Sequence, residues 1–385
     1  MSFDYGQYLN HKLDDAWELM GIDELNGEGI ISLVDSFCYI PNPTYKTLLG
    51  IYTFIPSALC RILPILCIQG LSGTGKSMMG LLASNIRRSP IMTSADTFAS
   101  IRNALNLQKF GEDGEGLEDN AILIWDDIDP KVFDVKPDIY RMLKVGYDRS
   151  TANLSIAGKE GKNITVNVFC PKIFSTIHTS IYNSPECSEL ARRLLIIPSS
   201  KCPLSVAENL LDMNAFNFHS LTTAYYDFWH TPDNCIKYSE TVAHLRKHKP
   251  RKFELDVWKL MTNFLATGIV LEFFEDYNDA HDWLETYVTL HREIIENEGD
   301  NLYLALKEFT QDLYELQIEK NPEKVIKELK IKPDMVKRQV KEWEEKSLLN
   351  RKPDWEKNII PTMKKLGFEL SWAKKGLFVK QFKED

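Results

Sequence analysis

The chain has 385 residues, 44% of them hydrophobic and 26% charged. That is enough chain for two or three domains with a sizeable core, and it excludes a disordered polymer. A formal net charge of −9 excludes a uniformly basic surface, so any contact with nucleic acid must be local.

The N-terminal Met1-Ser2-Phe3-Asp4 is polar and acidic, unlike a signal peptide. Residues 1–60 read as a helical region, with Leu13, Ala16, Trp17 and Met20 at helical spacing. The most apolar run, Leu48 to Ile68, is interrupted by Pro56, Arg61 and Pro64, so no membrane span is expected. Seven scattered cysteines without C-x-x-C spacing argue against a zinc site or a disulfide framework and for a reducing compartment. Cytoplasm, or the replication compartment of a host cell, is the expected location.

Gly70-Leu71-Ser72-Gly73-Thr74-Gly75-Lys76-Ser77 fits the P-loop pattern G-x-x-x-x-G-K-[ST] at every fixed position. Glycines let successive backbone N–H groups turn into one concavity, and the following helix adds partial positive charge there. Lys76 is expected on the β- and γ-phosphates of ATP and the Ser77 hydroxyl on Mg²⁺, with Gly70, Ser72, Gly73, Thr74 and Gly75 forming the cradle. The apolar Pro64–Gln69 reads as the strand before the loop, and Met78–Arg87 as the helix after it. Pro90–Thr93 reads as a second strand. A helix is expected after it, capped by Ser94 or Asp96.

Ala121–Ile124 leads to Trp125-Asp126-Asp127, a buried strand ending in paired carboxylates. In open α/β sheets ligands sit at that edge. In this Walker B arrangement Asp126 would hold Mg²⁺ through water, and Asp127 would orient or deprotonate the attacking water. Alternation over 151–156 and 163–168 around a glycine-rich turn predicts a β-hairpin. Lys159 and Lys162 sit at its tip, where a solvated turn is the simpler reading. Lys172–His178 is a buried strand ending in polar groups. Arg192 and Arg193 precede the apolar Leu194–Ile197, where an arginine could reach a neighbouring subunit's γ-phosphate.

The order P-loop, Asp-Asp after a strand, hairpin, polar-ended strand and Arg-Arg before a strand resembles AAA+ ATPases with a hairpin before sensor 1, a group that includes superfamily 3 helicases. Tyr39-Ile40-Pro41, Leu143–Arg149 and Phe169-Cys170-Pro171-Lys172 are similar to helicase-like domains of viral, phage and plasmid primase-helicases. The resemblance covers about residues 30 to 200. It implies a ring, usually a hexamer, with ATP at subunit interfaces and Lys159 and Lys162 lining a pore around single-stranded DNA, or RNA. Thr176 and His178 are both candidates for sensor 1, which is commonly Asn in the family. The family pattern prefers Arg193 as the arginine finger, with Arg192 as the alternative. Asp126-Asp127 stands where many members have Asp-Glu.

Residues 206–320 read as mostly helical, with Trp229, Trp258 and Trp283 as core anchors. The densest basic run, Leu245 to Lys252, reads either as a nucleic-acid contact or as a solvated linker between domains, and Pro250 favours the linker. Residues 321–385 carry 17 basic and 11 acidic side chains in an otherwise acidic protein. Helices over 322–329, 334–346 and 354–366, followed by strands over 368–372 and 377–382, give winged-helix order with Lys374 and Lys375 on the wing.

The expected architecture is α/β: N-terminal helices over 1–60, an AAA+ core of parallel sheet and inserted hairpin over 61–205, helices over 206–320 and a winged-helix-like domain over 321–385. The expected function is an ATP-dependent nucleic-acid motor, a replicative DNA helicase of a mobile element, virus or plasmid, with a separate primase as a partner. The rivals are a non-helicase AAA+ machine, such as a helicase loader or transposition regulator, and an ATP-gated scaffold or defence switch.

Overall fold

The structure is a computed structural model. It describes residues 13–110, 121–129, 132, 137–157, 163–178, 181, 187–297, 301–320, 327–345, 353–371 and 377–381. Contacts divide the chain into two compact units, Met1–Ile177 with Ser184–His291 and His178–Asn183 with Arg292–Asp385. The division falls near residue 291, within a helix.

The first unit opens with strand β1 (Asp14–Asp15), which pairs in parallel with Phe216–Asn217. A 3₁₀ turn over Ala16–Met20 follows, capped by the Asp15 carboxylate on the Trp17 N–H and ended by Gly21 at φ 65°. The helical spacing of Leu13, Ala16, Trp17 and Met20 therefore builds only this turn. The left-handed glycine stops it, and Asp14 and Asp15 are drawn into strand pairing. Two full helices come next, α1 (Gly27–Phe37), capped by Asn26, and α2 (Pro43–Thr53), capped by Asn42 with Pro43 in its first turn.

Strand β2 (Ile65–Gln69) is buried at every position, as a central parallel strand covered on both faces must be. It runs through the Gly70–Gly75 loop into α3 (Lys76–Arg87). Strand β3 (Ile91–Met92) and helix α4 (Phe98–Phe110) follow. The cap of α4 is Thr97, not Ser94 or Asp96. Its hydroxyl accepts the Ser100 N–H at 3.1 Å, and Ser100 Oγ accepts the Thr97 N–H at 3.0 Å. Asp96 instead closes the preceding turn on Thr93.

Strand β4 (Leu123–Trp125) and helix α5 (Pro137–Val145) precede the hairpin of β5 (Asn153–Ala157) and β6 (Asn163–Asn167), which pair antiparallel from Asn153↔Asn167 to Ala157↔Asn163. The hairpin tip, with Lys159 and Lys162, lies outside the described residues. Strands β7 (Lys172–Thr176) and β8 (Leu194–Pro198) complete a five-stranded parallel sheet ordered β3-β4-β7-β2-β8. The short β9 (Phe216–Asn217) leads into α6 (His219–His230), α7 (Pro232–Lys247), α8 (Leu255–Val270) and α9 (Tyr277–Asn297).

Trp229 and Trp258 are buried, and each donates its indole N–H to a carbonyl, of Phe54 and Leu245 respectively. Trp283 is only half-buried and stacks on Tyr287. The basic run from Leu245 to Lys252 does not link domains. It is the end of α7 and the start of the turn to α8, inside the first unit.

Tyr52 pins α2 to the start of the two central strands. Its hydroxyl lies 2.7 Å from the Pro64 carbonyl and 2.9 Å from that of Lys172, and it accepts the Lys172 N–H at 2.9 Å. Among the described residues, no helix is long and apolar enough to cross a membrane.

The second unit contains α10 (Asn301–Lys320), β10 (Glu328–Ile331), α11 (Pro333–Glu345), a π turn over Trp355–Ile359 running into α12 (Ile360–Lys365), β11 (Glu369–Ser371) and β12 (Leu377–Gln381). The strands form an antiparallel sheet ordered β10-β12-β11. The expected helix over 322–329 is overturned at its end, where 328–331 is a strand. Leu329 and Ile331 alternate with exposed neighbours, a period of two that suits one buried face. Lys374 and Lys375 lie outside the described residues.

Two predictions follow from this packing. Tyr52→Phe leaves a buried N–H without its acceptor and removes the one hydroxyl donor shared by two nearby carbonyls, so we expect a loss of about 1–3 kcal/mol, read as a lower urea midpoint. An unchanged midpoint would remove the pinning role. Burial pushes the His291 imidazole down to about 4 from an ordinary 6.5. Between those values the unfolded chain binds the extra proton, so stability should fall as pH drops from about 6.5 towards 4. His291→Phe should flatten that part of a melting-temperature profile, and an equally steep profile in the variant would disprove the assignment.

Candidate nucleotide site

The Gly70–Ser77 loop sits at the C-terminal edge of the parallel sheet, directly after β2. Its glycines are needed for two different reasons. A Cβ on Gly70 would lie 2.5 Å from the Ser199 carbonyl oxygen and 2.9 Å from Thr74 Oγ1, so no side chain fits there. Gly73 and Gly75 have room, but their φ angles of 82° and 80° belong to the left-handed region.

The loop is braced from β8. The Ser199 N–H donates to the Gln69 carbonyl at 2.7 Å, and its hydroxyl donates to the Thr74 carbonyl at 2.5 Å. Thr74 Oγ1 in turn donates to Leu71 O at 2.9 Å. Ser72, at the crest of the loop, is exposed.

Lys76 opens α3 and is buried, with Nζ donating to the Leu71 carbonyl at 2.6 Å. The enclosed gap among Lys76, Ser77, Asp126 and Ser175 is about 10 Å³, no more than one water's room. That gap is too small for a phosphate group, so the space open to a larger ligand is outside it, over the loop.

Ser77 Oγ donates to Asp126 Oδ2 at 2.8 Å, although 49 positions separate the two residues. Asp126 Oδ1 accepts from Ser175 Oγ at 2.5 Å. The same Ser175 oxygen accepts the Asp127 N–H at 2.7 Å, and the Ser175 carbonyl accepts the Ile128 N–H at 2.8 Å. Asp127 is exposed and sits at φ 55°, a left-handed conformation that aspartate tolerates better than most residues. Ser175 and Ser199 were not singled out in the sequence. The available signal was a serine at the end of each strand beside the loop strand.

Of the two sensor candidates, Thr176 is fully buried. Its hydroxyl donates to Ile128 O at 2.7 Å, and its carbonyl accepts the Gly70 N–H at 3.2 Å. It therefore touches the loop through its backbone. His178 is half-buried and groups with the second unit.

The arginine pair lies elsewhere, at the N-terminal edge of the sheet just before β8. Arg193 Nη1 donates to the Lys144 carbonyl at 2.6 Å, and its guanidinium lies 4.1 Å from the centre of the Tyr147 ring. Arg192 is exposed.

These residues fit a nucleotide and a hard divalent cation. The donor set at the mouth of the loop is a hydroxyl and a carboxylate, oxygens of the kind Mg²⁺ takes alongside phosphate and water. The glycine positions leave backbone N–H groups without side-chain cover.

No protein-family model matches the chain, and no curated protein matches it by sequence. Among solved structures it is similar to one described as "SCCmec type IV Cch - active helicase", at 14% identity and a TM-score of 0.42. That match covers 87% of this chain and 66% of the other, so this chain spans just under two thirds of that protein's length.

Ser175→Ala removes the donor to Asp126 and the acceptor for Asp127 together. We expect a loss of about 1–3 kcal/mol in urea unfolding. A variant as stable as the parent would show that the acid turn holds itself.

Proposed function

We propose that the chain is an ATP-hydrolysing motor on nucleic acid, of AAA+ type, acting as a replicative DNA helicase of a mobile element, virus or plasmid. The observation that supports this most is the meeting of Lys76, Ser77 and Asp126 at the mouth of one glycine loop, with Ser77 and Asp126 in direct contact. ATP would supply the phosphoryl group, and Mg²⁺, held by Ser77 and Asp126, would supply positive charge beside it. Lys76 would exchange the Leu71 carbonyl for the phosphates, and Asp127 would align a water for in-line attack. Catalysis in this scheme is positioning and charge, with no covalent step on the protein.

The arginine pair supports action between subunits. β2 has five residues, about 17 Å of strand. Arg192 and Arg193 lie at the edge opposite the loop, out of reach of their own chain's nucleotide. In a ring, one of them would stabilise charge on the phosphate held by the neighbour. Arg193 is already tied to Lys144 and Tyr147, which makes Arg192 the freer reach. Thr176 or His178 would serve as sensor 1. The hairpin rooted at Asn153 and Asn167 would place Lys159 and Lys162 against a single strand in the pore, and the C-terminal unit would contact DNA as a winged helix through Lys374 and Lys375.

Purified protein should hydrolyse ATP in the presence of Mg²⁺, faster with single-stranded DNA, and should displace a DNA strand. Lys76→Ala and Asp126→Asn should each lower turnover by on the order of 100-fold. Turnover indifferent to Lys76→Ala would end the proposal. Hydrolysis without strand displacement would leave an AAA+ loader or regulator. Hydrolysis indifferent to nucleic acid would leave an ATP-gated switch.

A further inference from the structure

A cavity of about 610 Å³ opens in the first unit at the N-terminal edge of the sheet. Its size is that of an ordinary small-molecule site. Its charge is not ordinary. Six cations line it: Arg61, Arg192, Arg193, Arg246, Lys249 and Lys259. Two carboxylates, Asp148 and Asp256, face them, and Asp148 already accepts from the Ser150 N–H and hydroxyl.

The cations come from four places in the chain. Arg61 precedes β2, the arginine pair precedes β8, Arg246 and Lys249 end α7 and begin the turn after it, and Lys259 lies on α8. Two of them are fixed by carbonyls: Arg193 by Lys144, and Lys249 by Pro250 and Phe253. Arg61, Arg246 and Lys259 are exposed and make no ion pair with the described residues. A chain of net charge −9 has thus gathered six like charges around one concavity, an arrangement that repels itself until an anion enters.

We propose that this cavity binds an oligophosphate, with Arg61, Arg246 and Lys259 as ligand contacts beside the arginine pair. A concavity of this size admits a short phosphate chain among the six cations. A five-residue strand separates the cavity from the chain's own glycine loop, so the phosphates come from outside the chain. Two sources present the same chemistry: a free oligophosphate or nucleotide in solution, or the nucleotide held in the loop of a second copy. The second source rests on the ATPase reading above, and the first does not.

Two measurements separate them. In the first, tripolyphosphate is titrated calorimetrically into Lys76→Ala protein, whose own loop lacks its ammonium, and into the same protein carrying Arg246→Ala and Lys259→Ala. A free-ligand site predicts binding that weakens by about tenfold or more with the two charges gone, and that survives Arg246→Lys with Lys259→Arg. In the second, Lys76→Ala protein with an intact cavity is mixed with Arg246→Ala/Lys259→Ala protein with an intact loop. Presentation by a second copy predicts that the mixture hydrolyses ATP several-fold faster than either variant alone. Tripolyphosphate binding that ignores the charge removal overturns the proposal. So does the absence of both binding and complementation, even if the parent protein hydrolyses ATP. Charge-dependent binding in a parent without ATPase activity would keep the cavity and discard the motor.

Discussion

Ser175 reaches Asp126 and Asp127 from a strand to which neither belongs. β7 lies between β2 and β4 and pairs with both, so a single strand sets the separation of the glycine loop from the acid turn. Adjacent strands stand about 4.8 Å apart, which puts the two outer strands about 10 Å from each other. The Ser77 and Asp126 side chains close the remaining gap from either side and meet above β7. Ser175 orients the carboxylate through one oxygen and leaves the other facing Ser77. Its grip on the Asp127 N–H also holds a residue in a left-handed conformation that it would not otherwise favour. If β7 slipped by one residue, Thr176 would present its hydroxyl to the wrong side, and both contacts would vanish together.

Charge is handled in two opposite ways in the first unit. Arg87, Lys109, Lys172 and Arg149 all direct hydrogen bonds into backbone carbonyl oxygens. Burial lowers the pKa of the Lys172 ammonium, and the carbonyls of Gly146 and Cys170 satisfy two of its protons. Carbonyl partners suit a buried cation because they carry dipoles without adding a second desolvated charge. At the N-terminal edge of the sheet Arg193 and Lys249 also bind carbonyls, but Arg61, Arg246 and Lys259 are exposed around an open cavity.

What could be read from the sequence follows from the range of the constraint. The glycine loop was legible because the P-loop pattern fixes its spacings within eight residues. The acid pair was legible because a run of apolar residues ending in aspartates has few other uses beside such a loop. The hairpin showed in its alternation, and the parallel strands in short unbroken apolar runs. Ser175 and Ser199 were not legible, because their roles depend on which strands become neighbours. The cavity was invisible for the same reason, since its cations run from position 61 to position 259. Local competition misled elsewhere. Thr97 took the cap of α4 because Asp96 was already closing a turn, and a charged segment resembling a helix ended as the alternating strand Glu328–Ile331.

The base of the hairpin is held more firmly than a surface loop needs. Lys109 on α4 binds the backbone carbonyls of Asn167 and Phe169 and the Asn167 side chain, and three residues beyond Phe169 Lys172 begins β7 with its own ammonium bound to Gly146 and Cys170. Asn167, Phe169 and Cys170 are thus each held by a buried ammonium group between β6 and β7. Three residues further along that strand is Ser175, the hydroxyl that aims the Asp126 carboxylate. The base of the hairpin and the hydroxyl that aims the acid turn therefore share one anchored stretch of backbone, from residue 167 to residue 175.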